Sequence, residues 1–262
     1  LKGEVEMLLV IDAGNTNIVF GFYRGDELVN HYRMTTDKEH TIDEFGMFML
    51  NAFNIAGIPP VIEGAAISSV VGSVIKPLIE AVKKYFKVEP TVVNTSMDMG
   101  IKIKYDNIKE LGTDRFVNAV AAFTLYKKAI IIIDFGTATT FGCLNSKGEF
   151  LGGAICPGIN ISLESLPRRT SKLPGVEIIK PQKAIGTNTV ANIQSGVFLG
   201  HVGQVEYLIR QLKSEMNESD ITVIATGGLA PVIASSTGEI HEIREFLTLE
   251  GLKMIYNKLL NH

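Results

Sequence analysis

Three observations in the 262-residue sequence predict an α/β protein of two similar lobes with a cleft between them. An internal duplication pairs LLVIDAGNTNIVFGFYRGDEL (8–28) with IIIDFGTATTFGCLNSKGEF (131–150). After each copy the apolar spacing alternates between the strand period and the helix period, a pattern that layers helices on sheets. At about 100 to 200 residues per domain, the length accommodates two such lobes.

The elements follow in order. In the first copy an apolar strand runs into Asp12, Ala13 and Gly14, a second strand leaves the turn, and a third occupies 27–34. Residues 41–56 read as a helix and GAAISSV (64–70) as a buried strand. Over 72–86, Val74, Ile75, Leu78, Ile79, Val82 and Phe86 share one helical face. TVVN (91–94) is a further strand. In the second copy Asp134 corresponds to Asp12 and Gly136 to Gly14, with one residue fewer before Gly142 than before Gly21, and a third strand at 149–156. A long helix is expected over 189–213, a strand entering a glycine turn at TVIATGG (222–228), and a final helix striped by Leu249, Leu252, Tyr256, Leu259 and Leu260. The boundary is expected near 112–130, giving lobes of residues 7–117 and 118–262. No low-complexity linker marks it, which suits closely packed lobes.

Composition narrows the function. At 46% hydrophobic and 20% charged residues the chain is that of a globular protein and not a disordered one. Lys and Arg total 25 against 28 Asp and Glu, for a net charge of −3, and no basic block occurs, so no nucleic-acid partner is expected. Cys143 and Cys156 form no CxxC, and His31, His40, His201, His241 and His262 have no ligand spacing. That argues against a zinc site or a disulfide scaffold and fits a reducing cytoplasm. Apolar runs such as AIIII (129–133) fall far short of the roughly 20 residues of a spanning helix, so no membrane segment is expected. LKGEVE (1–6) lacks a secretory pattern, reads as an extension ahead of Met7, and is given no role.

The chemistry lies in the glycine turns. In DAGNTN (12–17) the glycine permits a sharp turn, and Asn15, Thr16 and Asn17 offer donors to phosphate oxygens. An ordinary hairpin accounts for this segment taken alone. The second copy, DFGTATT (134–140), tips the balance, because two acid-bearing, donor-rich turns facing a cleft can hold both ends of a triphosphate. No Walker loop is present. TGGLA (226–230) is either a plain strand-to-helix turn or a place where a flat ring lies against backbone, and its position in the second lobe favours adenosine.

Together these features resemble the superfamily of acetate and sugar kinases, Hsp70 and actin, whose lobes are ribonuclease H-like. KYDNIKELGTDRFVNAV (104–120), GGAICPG (152–158), LP (173–174), IGTNT (185–189) and QSG (194–196) are similar to the type III pantothenate kinase family, from Leu8 to about Leu229. The resemblance implies ATP-dependent phosphorylation of pantothenate to 4'-phosphopantothenate, the first step of coenzyme A synthesis, by direct in-line transfer. It also implies a homodimer.

The resemblance further implies roles for particular residues. Asp114 is the base for the pantothenate hydroxyl, an exposed carboxylate ionised at neutral pH. Arg115 grips the substrate carboxylate with both prongs of its guanidinium, and Gly112 and Thr113 complete that stretch. From spacing alone, Thr113 reads as a helix cap with Asp114 favoured by the dipole, and Asp114 with Arg115 reads as a structural ion pair ahead of a catalytic one; the resemblance reverses that order. Tyr105 lines the pantothenate pocket, or is a surface aromatic. Thr189 contacts substrate through its hydroxyl, or caps the long helix.

For the nucleotide, the turn Asp12, Ala13, Gly14, Asn15, Thr16, Asn17, Ile18 and Val19 surrounds the ATP phosphates, Asp12 helps place Mg2+, and Thr137 contacts ATP. Asp134 is the ligand of a monovalent cation, K+ or NH4+, or merely closes its hairpin. Two departures from the family pattern stand out: Ile108 where proline is common after YDN, loosening the Tyr105 loop, and Thr187 where a basic residue is common. Arg168 and Arg169 read as solvated surface, or as neighbours of a phosphate or of the partner subunit. The rival readings are a kinase for another small hydroxyl or carboxylate substrate, and a nucleotide-binding regulator without turnover.

Overall fold

The computed structural model describes residues 7–260, so LKGEVE and the last two residues lie outside the described residues. The chain forms strands β1 (Met7–Ala13), β2 (Asn17–Arg24) and β3 (Glu27–Thr35), helix α1 (Ile42–Ile55), β4 (Ile62–Ser69), α2 (Gly72–Phe86), β5 (Thr91–Val92) and β6 (Lys102–Ile103). It continues through α3 (Thr113–Tyr126), β7 (Ala129–Phe135), β8 (Ala138–Leu144), β9 (Glu149–Pro157), α4 (Ile159–Arg169) and α5 (Thr189–Met216). The last elements are β10 (Ile221–Thr226), α6 (Ala230–Ala234), β11 (Glu242–Ile243) and α7 (Leu247–Leu260). Among the described residues no helix is long and apolar enough to cross a membrane.

These elements sort into two compact units. The first holds the described residues up to Gly100, then Asp106–Thr124, then those from Leu247 onward; the second holds Ile101–Tyr105 and Leu125–Phe246. A single cut between residues 117 and 118 therefore does not describe the division. The C-terminal helix belongs with the first unit, and a five-residue strap ahead of α3 belongs with the second. The reason is burial: a sheet that is apolar on both faces needs cover on both.

The sheet of the first unit has the order β3-β2-β1-β4-β5. One face packs Leu9, Ile11, Phe20 and Phe22 against Phe45, Met49 and Phe53 of α1 and Leu78 and Val82 of α2. Leu8 and Val10 alternate onto the opposite face, where α7 lies against β1, β2 and β4. There Gly64 admits the Tyr256 ring and Gly251 admits Val117 of α3, contacts that a Cβ at either glycine would block. α1 begins where the period predicts, because Thr41 and Glu44 form a reciprocal cap: the Glu44 N–H donates to Thr41 Oγ1 (3.3 Å) and the Thr41 N–H to Glu44 Oε2 (2.7 Å).

The second unit repeats the plan with the order β11-β10-β7-β8-β9-β6. Ile131, Ile133 and Phe135 of β7 and Phe141 and Cys143 of β8 face Phe198, Val202, Val205 and Ile209 of α5. The duplicated triplets, β1-β2-β3 and β7-β8-β9, are both antiparallel meanders. Gly153, at φ 155, brings the β9 backbone onto the Phe141 carbonyl so closely that no side chain fits.

Candidate active site

The first glycine turn closes β1 onto β2. The Gly14 N–H donates to the Asn17 carbonyl (3.0 Å), and Asp12 pairs with Val19 in the ladder. Thr36 staples the turn from the far side, its hydroxyl donating to the Gly14 carbonyl (2.7 Å) and its N–H to the Thr16 carbonyl (2.9 Å). Sequence reading does not single out Thr36, since a polar residue just past a strand carries no spacing signal. Asn15 and Thr16 are exposed and Asp12, Gly14, Asn17 and Val19 half-buried, whereas Ala13 and Ile18 point into the core. At those two positions only backbone groups remain to meet a phosphate.

The GTDR stretch opens α3 in the same unit. The Gly112 carbonyl accepts the Phe116 N–H (3.1 Å), so Gly112 starts the helix and Thr113 is not its cap. The Thr113 hydroxyl instead donates to the Ser69 carbonyl at the end of β4 (3.0 Å) and accepts from the Ser68 hydroxyl (3.1 Å). Asp114 accepts the Arg115 N–H at 2.7 Å, and a Cβ at Gly112 would fall on the Asp114 carboxylate.

The expected exposed carboxylate is in fact half-buried. Lost hydration raises its pKa above the ordinary Asp value, partly offset by the Arg115 N–H and guanidinium. Arg115 itself is buried. A carboxyl whose pKa rises toward the working pH accepts a proton more readily than one deep in the acidic range.

In the second unit, Thr226 of β10 lies opposite Asp134 of β7. Gly227, at φ 89, follows at once, and a Cβ there would stand 2.7 Å from both Asp134 Oδ1 and the Phe135 carbonyl. The TGGLA turn and the acid of the second hairpin are thus brought together, and only glycine permits the approach. The Gly136 N–H donates to the Ala138 carbonyl (3.2 Å), Thr137 is exposed, and Gly158 seats its backbone on the Gly136 and Thr137 carbonyls. Among the described residues no group of three or more His, Cys, Asp or Glu is placed to hold a metal. A cation at Asp12 or Asp134 would take one carboxylate from this chain and its other oxygens from phosphate, carbonyls or water, a donor set that suits Mg2+ or K+.

Tyr105 ends the strap that pairs with β9. Its half-buried ring lies 6.1 Å from that of Phe150 and against Gly152, and the strap is pinned by the Lys104 N–H to the Phe150 carbonyl (2.9 Å) and by Lys104 with Glu149 (3.1 Å). The next turn lacks the common proline, but the Asn107 side chain caps it by accepting the Lys109 N–H (3.2 Å).

Thr189 is exposed in the first turn of α5, and Asn188 is the cap, accepting the Ala191 N–H at 2.9 Å. The loop before α5, which includes the exposed Thr187, is tethered by Ser195 to the Ala184 carbonyl (2.6 Å) and by Gln194 to the Glu177 carbonyl (3.2 Å). Arg168 and Arg169 are exposed, and Arg168 pairs with Glu164.

The structure therefore gathers the candidate residues in two sets. Asp12–Val19 and Gly112–Arg115 flank β4 in the first unit; Asp134, Thr137 and the TGG turn cluster in the second, with Tyr105 and Thr189 elsewhere in it.

Comparison with known proteins adds an independent finding. The profile of the family described as type III pantothenate kinase matches residues 8–211. Among solved structures, a Campylobacter jejuni protein described as a Baf family transcriptional activator superposes with a TM-score of 0.62 at 18% identity, covering 97% of this chain and 100% of that one. A ROK hexokinase from Thermus thermophilus gives 0.51 at 12%, covering 98% and 100%. An archaeal actin homologue gives 0.52 at 12%, covering 96% and 99%. At these identities the structures show an actin-like fold.

Proposed function

Because this chain belongs to the type III pantothenate kinase family, we propose that it transfers the γ-phosphoryl group of ATP to the primary hydroxyl of pantothenate, yielding 4'-phosphopantothenate and ADP. The observation that carries the reading is the family match over residues 8–211, which includes the GTDR stretch where half-buried Asp114 opens α3.

In this reading Asp114 accepts the hydroxyl proton as the oxygen attacks phosphorus, and ADP departs in line. Arg115 holds the substrate carboxylate, with Gly112, Thr113, Tyr105 and Thr189 completing the substrate contacts. The Asp12–Val19 turn and Thr137 contact ATP. Asp12 would hold Mg2+ with the phosphates and Asp134 a K+ or NH4+ ion; when bound, these cations offset phosphate charge. Most of the rate enhancement then comes from positioning. A cytoplasmic homodimer completes the reading, supported by the family.

The test is ADP release with Mg-ATP, with and without pantothenate, in K+ and then in Na+ buffer, with the product identified by mass. Turnover that needs both pantothenate and K+ is the expected result. A folded, ATP-binding sample with no pantothenate-dependent turnover points to another acceptor or to a regulator.

A further inference from the structure

Between the first glycine turn and α3 lies a set of hydroxyls that neither the duplication nor the GTDR stretch explains. Ser68 is fully buried at the end of β4, after the apolar run Ala65, Ala66 and Ile67, and stands opposite Asp12 in the parallel β1–β4 ladder. A buried hydroxyl costs desolvation that alanine of nearly the same size avoids, so its hydrogen bond is what distinguishes it.

That bond goes to Thr113 Oγ1 (3.1 Å), and the Thr113 hydroxyl donates in turn to the Ser69 carbonyl (3.0 Å). Around the same corner the Val70 N–H donates to the Ala13 carbonyl (3.1 Å), and Ser69 Oγ accepts the Val71 N–H (3.0 Å). A path thus runs from the Ala13 carbonyl through the Ser69–Val70 peptide unit to the Thr113 hydroxyl, immediately before Asp114, and Ser68 holds that hydroxyl from its other side as a donor. Every member belongs to the first unit.

We propose that Ser68 is a positioning residue for phosphoryl transfer: through Thr113 it fixes the first turn of α3, and so Asp114, relative to the Asp12–Val19 turn. This rests on the reading of Asp114 as the base. The two ends of the path are the groups that handle the acceptor hydroxyl and the phosphates, and their separation sets whether oxygen and phosphorus meet in line. Apolar packing alone would hold α3 near β4 but leave its first turn free to shift. The hydroxyl pair removes that freedom because hydrogen bonds are directional.

The experiment uses the full chain with Ser68→Ala, Thr113→Ser, Thr113→Val and the Ser68→Ala/Thr113→Val double variant, each checked by thermal unfolding. Two readouts run in parallel: steady-state kinetics for both substrates, and hydrogen exchange of the amides in the first turns of α3, with α5 as reference. Loss of one such bond is expected to lower kcat about tenfold in Ser68→Ala while KM for ATP stays within about twofold. Exchange at the start of α3 speeds up by a similar factor, with α5 unchanged. Thr113→Ser, which keeps the hydroxyl, keeps the wild-type exchange at the start of α3, and the double variant is no worse than Thr113→Val.

Unchanged exchange at α3, unchanged kcat in Ser68→Ala, or additive losses in the double variant each overturn the proposal. If Ser68→Ala fails to fold, Ser68→Cys, whose thiol is a weak donor of similar size, is judged by the same two readouts. A wild type with no pantothenate turnover defeats the functional reading and the catalytic part of the proposal with it, while exchange at α3 still decides the link itself.

Discussion

A carboxylate that gives up hydration to sit in the first turn of a helix is harder to ionise than one in water, and at Asp114 this has two measurable consequences. Its pKa is raised on folding, so the folded chain holds the proton more tightly than the unfolded one, and stability is lost as pH rises from the ordinary Asp value through the raised one. Asp114→Asn is therefore expected to unfold at a slightly higher temperature than the wild type near neutral pH, to keep ATP binding, and to lose at least about a hundredfold in kcat; calorimetry and ADP release check the pair. Because the base is inactive when protonated, the acid limb of kcat/KM for pantothenate should fall above the ordinary Asp range, and a pH profile reads it directly. Gly112→Ala would drive a methyl group into the same carboxylate and is expected to cost about a hundredfold in turnover with little change in melting temperature. The identity of Asp114 is legible in GTDR, but its burial is not. The helix that carries it is pinned at Thr113 to the end of β4, 45 residues earlier at Ser68, and no local pattern reports that neighbour.

At the scale of elements, the reading succeeds where periodicity is strong and local. The helices at 42–55, 72–86 and 189–216 and both strand triplets stand close to their expected positions. What escapes is short or weakly marked. β6 is two residues long and is defined only by its pairing with β9, whose partners lie 47 positions on; α4 starts without a capping side chain and contains Pro167. The cap of α5 differs by one residue from expectation: Asn188 takes that role, which releases the Thr189 hydroxyl for other contacts. Asn188→Ala should cost about 1 kcal/mol of stability. It should also raise KM for pantothenate with kcat nearly unchanged, if Thr189 meets substrate from that first turn; thermal unfolding and steady-state kinetics separate the two effects.

At the scale of the whole molecule, the duplication and fold class are readable while the division of the chain is not. The apolar stripe of α7 looks the same whichever sheet it covers, and only the structure shows Leu249, Leu252, Ile255 and Tyr256 buried on the first. Lys253, also buried, reaches Asp26 at 2.8 Å and lies 5.1 Å from the Tyr23 ring, tying the helix to the β2–β3 turn. Four such apolar side chains contribute about 6 kcal/mol or more, comparable to the whole stability of a typical domain. A chain ending at Phe246 should therefore leave the first unit open to protease while the second survives, and limited proteolysis read by mass spectrometry would show it. The same arrangement sets an order on biosynthesis. A ribosome adding about 5 to 20 residues per second takes roughly 6 to 24 s to pass from Leu125 to Phe246. Throughout that interval the first unit's sheet has one face bare, so that unit is completed only after the second, and it is the one a nascent-chain chaperone has most reason to shield.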